Sequence, residues 1–349
     1  MAPPSAVNAR ASHRPSRARV LAAALTILAM LAVAGCSSSA SGTHGAGADS
    51  GTTTLPGTTS GTGTSTTTAA LPGTGKPAVT IGDKNYTEQF LLGDLYREAL
   101  QAQGYSVELN QNIGPTSVTL QAMASGSLDM YPEYLNVFNA AVAGYTHGFT
   151  SRGAAYEAAQ RYALAHNMQL LTPTPFSDTS AIGVTVGYAE ANHLRTIRDL
   201  SRVAPTLVMG GPPQFEQSHP GLSDLEQSYS FTPAAFKQLA IGDQYAALNA
   251  GQVLAAFVNT TDGQLASGNY RLLDDPENVL GWGNVVPVVA TRALSREGPA
   301  FVDTINRISA LLTVPVMREL NQLVDVAGQD PATVAKEFLE THGIIPPTS

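Results

Sequence analysis

The stretch Val79-Thr80-Ile81-Gly82-Asp83-Lys84-Asn85-Tyr86-Thr87-Glu88-Gln89 decides the fold, together with Gly126-Ser127-Leu128-Asp129-Met130-Tyr131-Pro132-Glu133-Tyr134 downstream. Residues 79–81 read as a short strand. Asn85 and Glu88 then stand three apart in the manner of a capping box, and Phe90, Leu91, Leu95, Ala99 and Ala102 recur at helical spacing until Gly104 stops the run. Val107 and Leu109 alternate as a second strand, residues 117–125 read as a helix closed by Gly126, and residues 128–130 read as a third strand. Strand, helix, strand, helix, strand is the order of a mainly parallel sheet.

The alternation continues outward from that core. A helix is expected over residues 151–166, strands over 168–171 and 182–186, a short helix near 196–200 and a strand over 206–209. A helix over 244–250 and strands over 253–258 and 285–290 follow. From Gly298 the chain reads as helical, broken near Thr313 and Pro315, with a last helix starting at Asp330-Pro331. Residues 78–349 are long enough for two lobes with separate cores.

The N-terminal part reads differently. Arg10, Arg14, Arg17 and Arg19 precede an uncharged apolar run that ends in Leu31-Ala32-Val33-Ala34-Gly35-Cys36. The run is shorter than the roughly 20 apolar residues of a membrane span, so residues 1–35 are expected to be a signal peptide. Its ending resembles a bacterial lipobox, which implies cleavage before Cys36 and a diacylglyceryl anchor on that thiol. Residues 36–77, rich in Ser, Thr and Gly, are expected to be the lipidated cysteine followed by a flexible linker, because they hold too little apolar surface to offset ordering entropy. Cys36 is the sole cysteine of the chain, which excludes an intrachain disulfide.

Composition narrows the function classes. Nineteen basic residues against 27 acidic give a formal net charge of −8, which argues against a nucleic-acid partner. No G-x-S-x-G elbow, phosphate-cradling loop, dinucleotide fingerprint or H-E-x-x-H occurs, and the seven histidines show no metal-ligand spacing. Nothing in the sequence requires an enzyme, a metal or a cofactor. What stands out instead is aromatic and polar residues at the ends of expected strands, where open α/β sheets place their ligands. These are Asn85-Tyr86-Thr87 after the first strand and Tyr131 with Tyr134 after the third, two tyrosines read as presenting ring faces to one concavity.

The two quoted stretches resemble the substrate-binding proteins of osmoprotectant ABC importers, which take up glycine betaine, choline, carnitine or proline betaine. That family often opens with G-S-K-N-F-T-E-Q and later carries Y-P-E-Y-T-G-T. The similarity extends over nearly all of residues 78–346, including Tyr245-Ala246-Ala247-Leu248-Asn249-Ala250-Gly251 and Thr261-Asp262-Gly263. It implies an α/β, two-lobed type II periplasmic-binding-protein fold, each lobe a mainly parallel sheet flanked by helices. Lobe one would span 78–179 and 285–348, lobe two 180–284, with hinge crossings near Ser180 and Asn284. The resemblance further implies a receptor on the outer face of the cell membrane that works with separate permease and ATPase subunits.

The departures from that family bear on the ligand. Leu135-Asn136-Val137 replaces T-G-T, and Asp178-Thr179-Ser180 stands where the family reads N-T-Y, so Ser180 takes a hinge-side tyrosine's place. Ser218 stands where an arginine is a candidate partner for a ligand carboxylate, Asn259 holds an often aromatic position, and Trp282 lies beside another. Tyr86, Tyr131, Tyr134 and Trp282 are therefore expected to form an aromatic cage, with Asn85, Thr87, Ser180 and Asn259 as polar contacts. Two alternatives stand beside this. The cage holds a quaternary amine, with choline-like compounds favoured over carboxylated betaines, or a more polar ligand uses Ser180, Asn259 and Asn284. An envelope sensor or scaffold, or an enzyme with Glu88 or Glu133 as a titrating carboxylate, is the rival class.

Overall fold

The computed structural model describes residues 70–347. The expected signal peptide, Cys36 and residues 37–69 of the expected linker lie outside them. Residues 70–77, read as linker, pack on the fold: the Gly73 N–H donates to the Gln103 carbonyl (2.9 Å), and Lys76 reaches the carbonyl of Glu297.

The described residues form two five-stranded sheets. The strands are β1 (Val79–Gly82), β2 (Val107–Asn110), β3 (Met130–Tyr134), β4 (Met168–Leu170), β5 (Ser180–Thr185), β6 (Val208–Gly211), β7 (Ala235–Gln238), β8 (Ala255–Asn259), β9 (Tyr270–Leu273) and β10 (Val285–Ala290). They run in the orders β2-β1-β3-β10-β4 and β7-β6-β8-β5-β9. β7 and β9, edge strands with little apolar alternation, are absent from the sequence reading.

Both sheets are mixed rather than mainly parallel. β1 pairs in parallel with β2 and β3, and β6 with β7 and β8, as helical crossovers demand. β10 runs antiparallel to β3 and β4, and β5 to β8 and β9. These two are the strands that enter directly after the chain has crossed from the other sheet. They start where their parallel neighbours end: Val285 sits opposite Tyr134, and Ser180 opposite Asn259.

Each sheet has its own apolar core. The first is built on Ile81, Leu91, Leu95, Tyr131, Phe138, Val288 and Phe301, the second on Ile182, Leu207, Met209, Phe215 and Leu225, with a neighbouring cluster around Tyr245 and Val258. The helix α1 (Thr87–Ala102) lies against the helices Pro299–Leu311 and Pro331–Thr341 on the first core. The helix Val314–Asn321 reaches the second half instead: the Arg318 Nε–H donates to the Thr260 carbonyl (2.8 Å), and Asn321 Nδ2 donates to the Thr261 carbonyl (2.9 Å).

Candidate functional site

The two crossings lie side by side. Ser177 and Asn284 form an antiparallel bridge, the Asp178 N–H donates to the Gly283 carbonyl (3.0 Å), and the Gly283 N–H donates to Ser177 Oγ (2.9 Å). Thr260 ties in the end of β8, its hydroxyl donating to the Ser177 carbonyl (2.6 Å) and accepting from the Thr179 N–H (3.0 Å). Asn284 donates to the carbonyls of Thr174 and Phe176, both at 2.9 Å, and so serves the crossing itself.

Several of the expected side chains gather where β1, β3 and β8 end at this junction. Tyr86 caps α1 and remains 39% exposed, its ring stacked on that of Tyr134 with centroids 5.9 Å apart and planes at 26°. The Tyr134 hydroxyl donates to Glu88 Oε1 (2.8 Å), and Asn321 Nδ2 donates to Glu88 Oε2 (2.8 Å). Glu88 is therefore not the capping-box partner of Asn85. Tyr86 is the N-cap without a side-chain cap bond, because tertiary donors recruit the Glu88 carboxylate. Burial pushes the Glu88 carboxyl up, against the pull of its donors, and it also raises the Tyr134 phenol, with the Glu88 charge adding to that.

Two further carboxylates face the same junction. Asp262 accepts from the Tyr245 hydroxyl (2.8 Å) and the Asn259 N–H (3.0 Å), and burial raises its carboxyl. Asp178 is partly buried, hydrogen-bonds the Thr261 side chain, and is held well above the ordinary carboxylate range by burial and then by the charges of Glu88 and Asp262. Asp178, Thr261, Asp262, Arg318 and Asn321 are absent from the expected site. Asp178 was visible in sequence only as a departure from N-T-Y, whereas Asn321 gave no signal beyond one polar residue in an amphipathic helix.

The expected residues separate into those brought together and those not. Tyr86 and Tyr134 meet. Tyr131 does not join them: β3 extends through Tyr134, so residues three apart point to opposite faces, and Tyr131 is fully buried in the first core near Thr119. Trp282 packs on that core as well, its indole N–H donating to the Phe149 carbonyl (3.4 Å). Asn85 is exposed, Thr87 opens α1 and bonds Asp325, and Ser180 and Asn259 pair across β5 and β8 at the junction. Ser218 is exposed, its hydroxyl turned onto the Pro220 carbonyl (3.1 Å).

Lys84 and Glu133 explain why the two sequence stretches occur together. They form a buried ion pair, with Glu133 also accepting from the Tyr134 N–H (2.8 Å) and the Thr116 hydroxyl (3.2 Å). The pair fastens the loop that carries Tyr86 to the strand that carries Tyr134. Among the described residues no group of three or more His, Cys, Asp or Glu is arranged to hold a metal ion.

Comparison with known proteins bears on the family and the fold. Residues 77–341 match the family described as the substrate binding domain of ABC-type glycine betaine transport systems. A glycine-betaine-binding protein of Pseudomonas aeruginosa is 30% identical over 278 residues, covering 76% of this chain and 88% of that protein. The glycine betaine-binding protein YehZ of Escherichia coli is 30% identical over 279 residues, covering 76% and 90%. A crystal structure of a glycine betaine/carnitine/choline ABC transporter superposes with a TM-score of 0.71 at 23% identity, over 76% of this chain and 99% of that one. The solved structures of this shape are type II periplasmic binding proteins, and the relatives are transport binding proteins. With its two lobes of sheet and its match over residues 77–341, this chain belongs to the family of substrate-binding domains of ABC-type glycine betaine transport systems.

Proposed function

We propose that this chain is the extracytoplasmic receptor of an ABC importer, capturing a small quaternary-amine or zwitterionic compatible solute between its lobes and presenting it to the permease and ATPase subunits. The observation that carries this reading is the stacked Tyr86–Tyr134 pair beside the buried Glu88 where the two sheets meet. A quaternary ammonium has no N–H to donate, so aromatic faces and carboxylate charge must hold it, each cation–π contact contributing about 0.5–2 kcal/mol. The names of the Pseudomonas and Escherichia relatives, both glycine betaine binders, support the same ligand class.

In this reading Tyr86 and Tyr134 are the cage, Ser180 and Asn259 line its far side, and residues 78–179 with 285–348 close against 180–284 about the paired crossings. Closure is the signal that the membrane subunits detect. Residues 1–35 export the chain, and a lipid on Cys36 holds it at the outer face of the membrane. The protein itself makes and breaks no bond in its ligand.

Calorimetric titration with choline, glycine betaine, carnitine and proline betaine tests the proposal. Saturable binding of at least one is expected near micromolar concentration, about −8 kcal/mol. Tyr86→Ala is expected to weaken it by about 2- to 30-fold, the equivalent of one cation–π contact. Absence of binding by all four compounds would overturn the assignment.

A further inference from the structure

Glu88, Asp178 and Asp262 share the junction, yet among the described residues no Lys, Arg or His nitrogen forms an ion pair with any of them. Glu88 spends its oxygens on Tyr134 and Asn321, and Asp262 accepts from Tyr245 and Asn259. Asp178 differs. Its Oδ1 is shielded from solvent and has no hydrogen-bond partner. A buried carboxylate oxygen left unmatched carries its full desolvation cost, and a donor delivered to it recovers that cost with a charge-assisted bond. The stacked tyrosines stand at the same place, and the electrostatic field of Asp178 reaches both of their phenols.

We propose that this cleft selects a ligand of net positive charge bearing a hydroxyl, a choline-type quaternary amino alcohol, and that Asp178 is the specificity-determining residue. Its unmatched oxygen accepts the ligand hydroxyl, and the ammonium held by Tyr86 and Tyr134 supplies the positive charge beside which the buried Asp178 carboxyl can ionise. The inference rests on the quaternary-amine reading above and narrows it. A zwitterionic betaine has no O–H to donate to that oxygen and would bring its own carboxylate beside Asp178. Of the cations near the junction, Lys84 is paired with Glu133 and Arg318 donates its Nε–H to the Thr260 carbonyl.

The test is calorimetric titration of the full-length protein with choline, glycine betaine and the uncharged choline isostere 3,3-dimethylbutan-1-ol, in wild type, Asp178→Asn and Tyr86→Ala. Choline is expected to bind about tenfold or more tighter than glycine betaine, with no saturable binding of the isostere. Asp178→Asn keeps the shape and the Thr261 partner. It is expected to weaken choline about tenfold while leaving glycine betaine unchanged or tighter, whereas Tyr86→Ala weakens both alike. A merely structural Asp178 would lower both affinities together. Wild type favouring glycine betaine, or a choline-to-betaine ratio unmoved by Asp178→Asn, overturns the role of Asp178 and leaves the quaternary-amine reading standing. Failure of choline and glycine betaine alike to bind wild type removes both.

Discussion

Lys84 shows what a residue inside the opening motif does for the fold. Its side chain is 5% exposed and its partner Glu133 is fully buried, so the charges are matched by each other, by the Tyr134 ring 6.0 Å from the Lys84 ammonium and by the donors around Glu133. Removing one member leaves an uncompensated buried charge, which typically costs about 3–5 kcal/mol. Lys84→Met is accordingly expected to lower the urea midpoint strongly, and Lys84→Met combined with Glu133→Gln to recover much of the loss; equal midpoints for the single and double variants would contradict this. Tyr134 has a second duty that a mutation can separate. Tyr134→Phe keeps the ring of the proposed cage but removes the donor to Glu88, so ligand affinity is expected to fall less than in Tyr134→Ala, by calorimetry.

The elements that join the two sheets are the two crossings. A Cβ built on Gly283 would sit 1.7 Å from the Asp178 carbonyl oxygen and 2.5 Å from its carbon, so glycine is required by close approach of backbone. Gly283→Ala must force the crossings apart, and a cost of about 1–3 kcal/mol or more is expected in chemical unfolding. Gly187, within the helix Val186–Ala191, meets nothing within 4 Å, so Gly187→Ala is expected to be neutral or to stabilise by about 0.5–1 kcal/mol. The helix Val314–Asn321 follows the same logic from the other side. Thr313 caps it by accepting from the Val316 N–H, and its far end places Asn321 between Glu88 and Thr261, one side chain bonding both sides of the junction.

At the scale of the whole molecule, buried acids set how stability responds to pH. Burial is the largest cause for both Asp83, whose carboxyl is pushed up to about 7, and Asp94, pushed up to about 6. Asp83 feels the Asp94 charge as well, and Asp94 is held back by Arg97. Both values lie above the ordinary 3.8, so between those limits the native state holds more protons than the unfolded chain. The stability they contribute is present at low pH and is lost as pH rises through their native values. Burial moves Glu88, Glu133, Asp178 and Asp262 in the same direction. The urea midpoint is therefore expected to be higher near pH 5.5 than near pH 7.5. Asp83→Asn, which still offers an oxygen to the Asn112 N–H, is expected to flatten that dependence. A midpoint that rises from pH 5.5 to 7.5 would contradict the sign.

Sequence alone determined what depends on local spacing. The order of β1, α1, β2, the helix Thr116–Ser125 and β3 follows from apolar periodicity and from Gly126 in the left-handed conformation, and β10 was legible from end to end. The two motifs carried the family because their residues are read one by one. Tertiary structure decided whatever depends on where separate segments meet. The direction of β5 and β10 follows from the crossings, not from their composition, which is the same for either pairing. Which tyrosine meets Tyr86 follows from β3 running on to Tyr134, since strand period two puts Tyr131 on the opposite face. The acid cluster assembles Glu88, Asp178 and Asp262 from points far apart in the chain, and only folding brings charges together that no window of sequence contains.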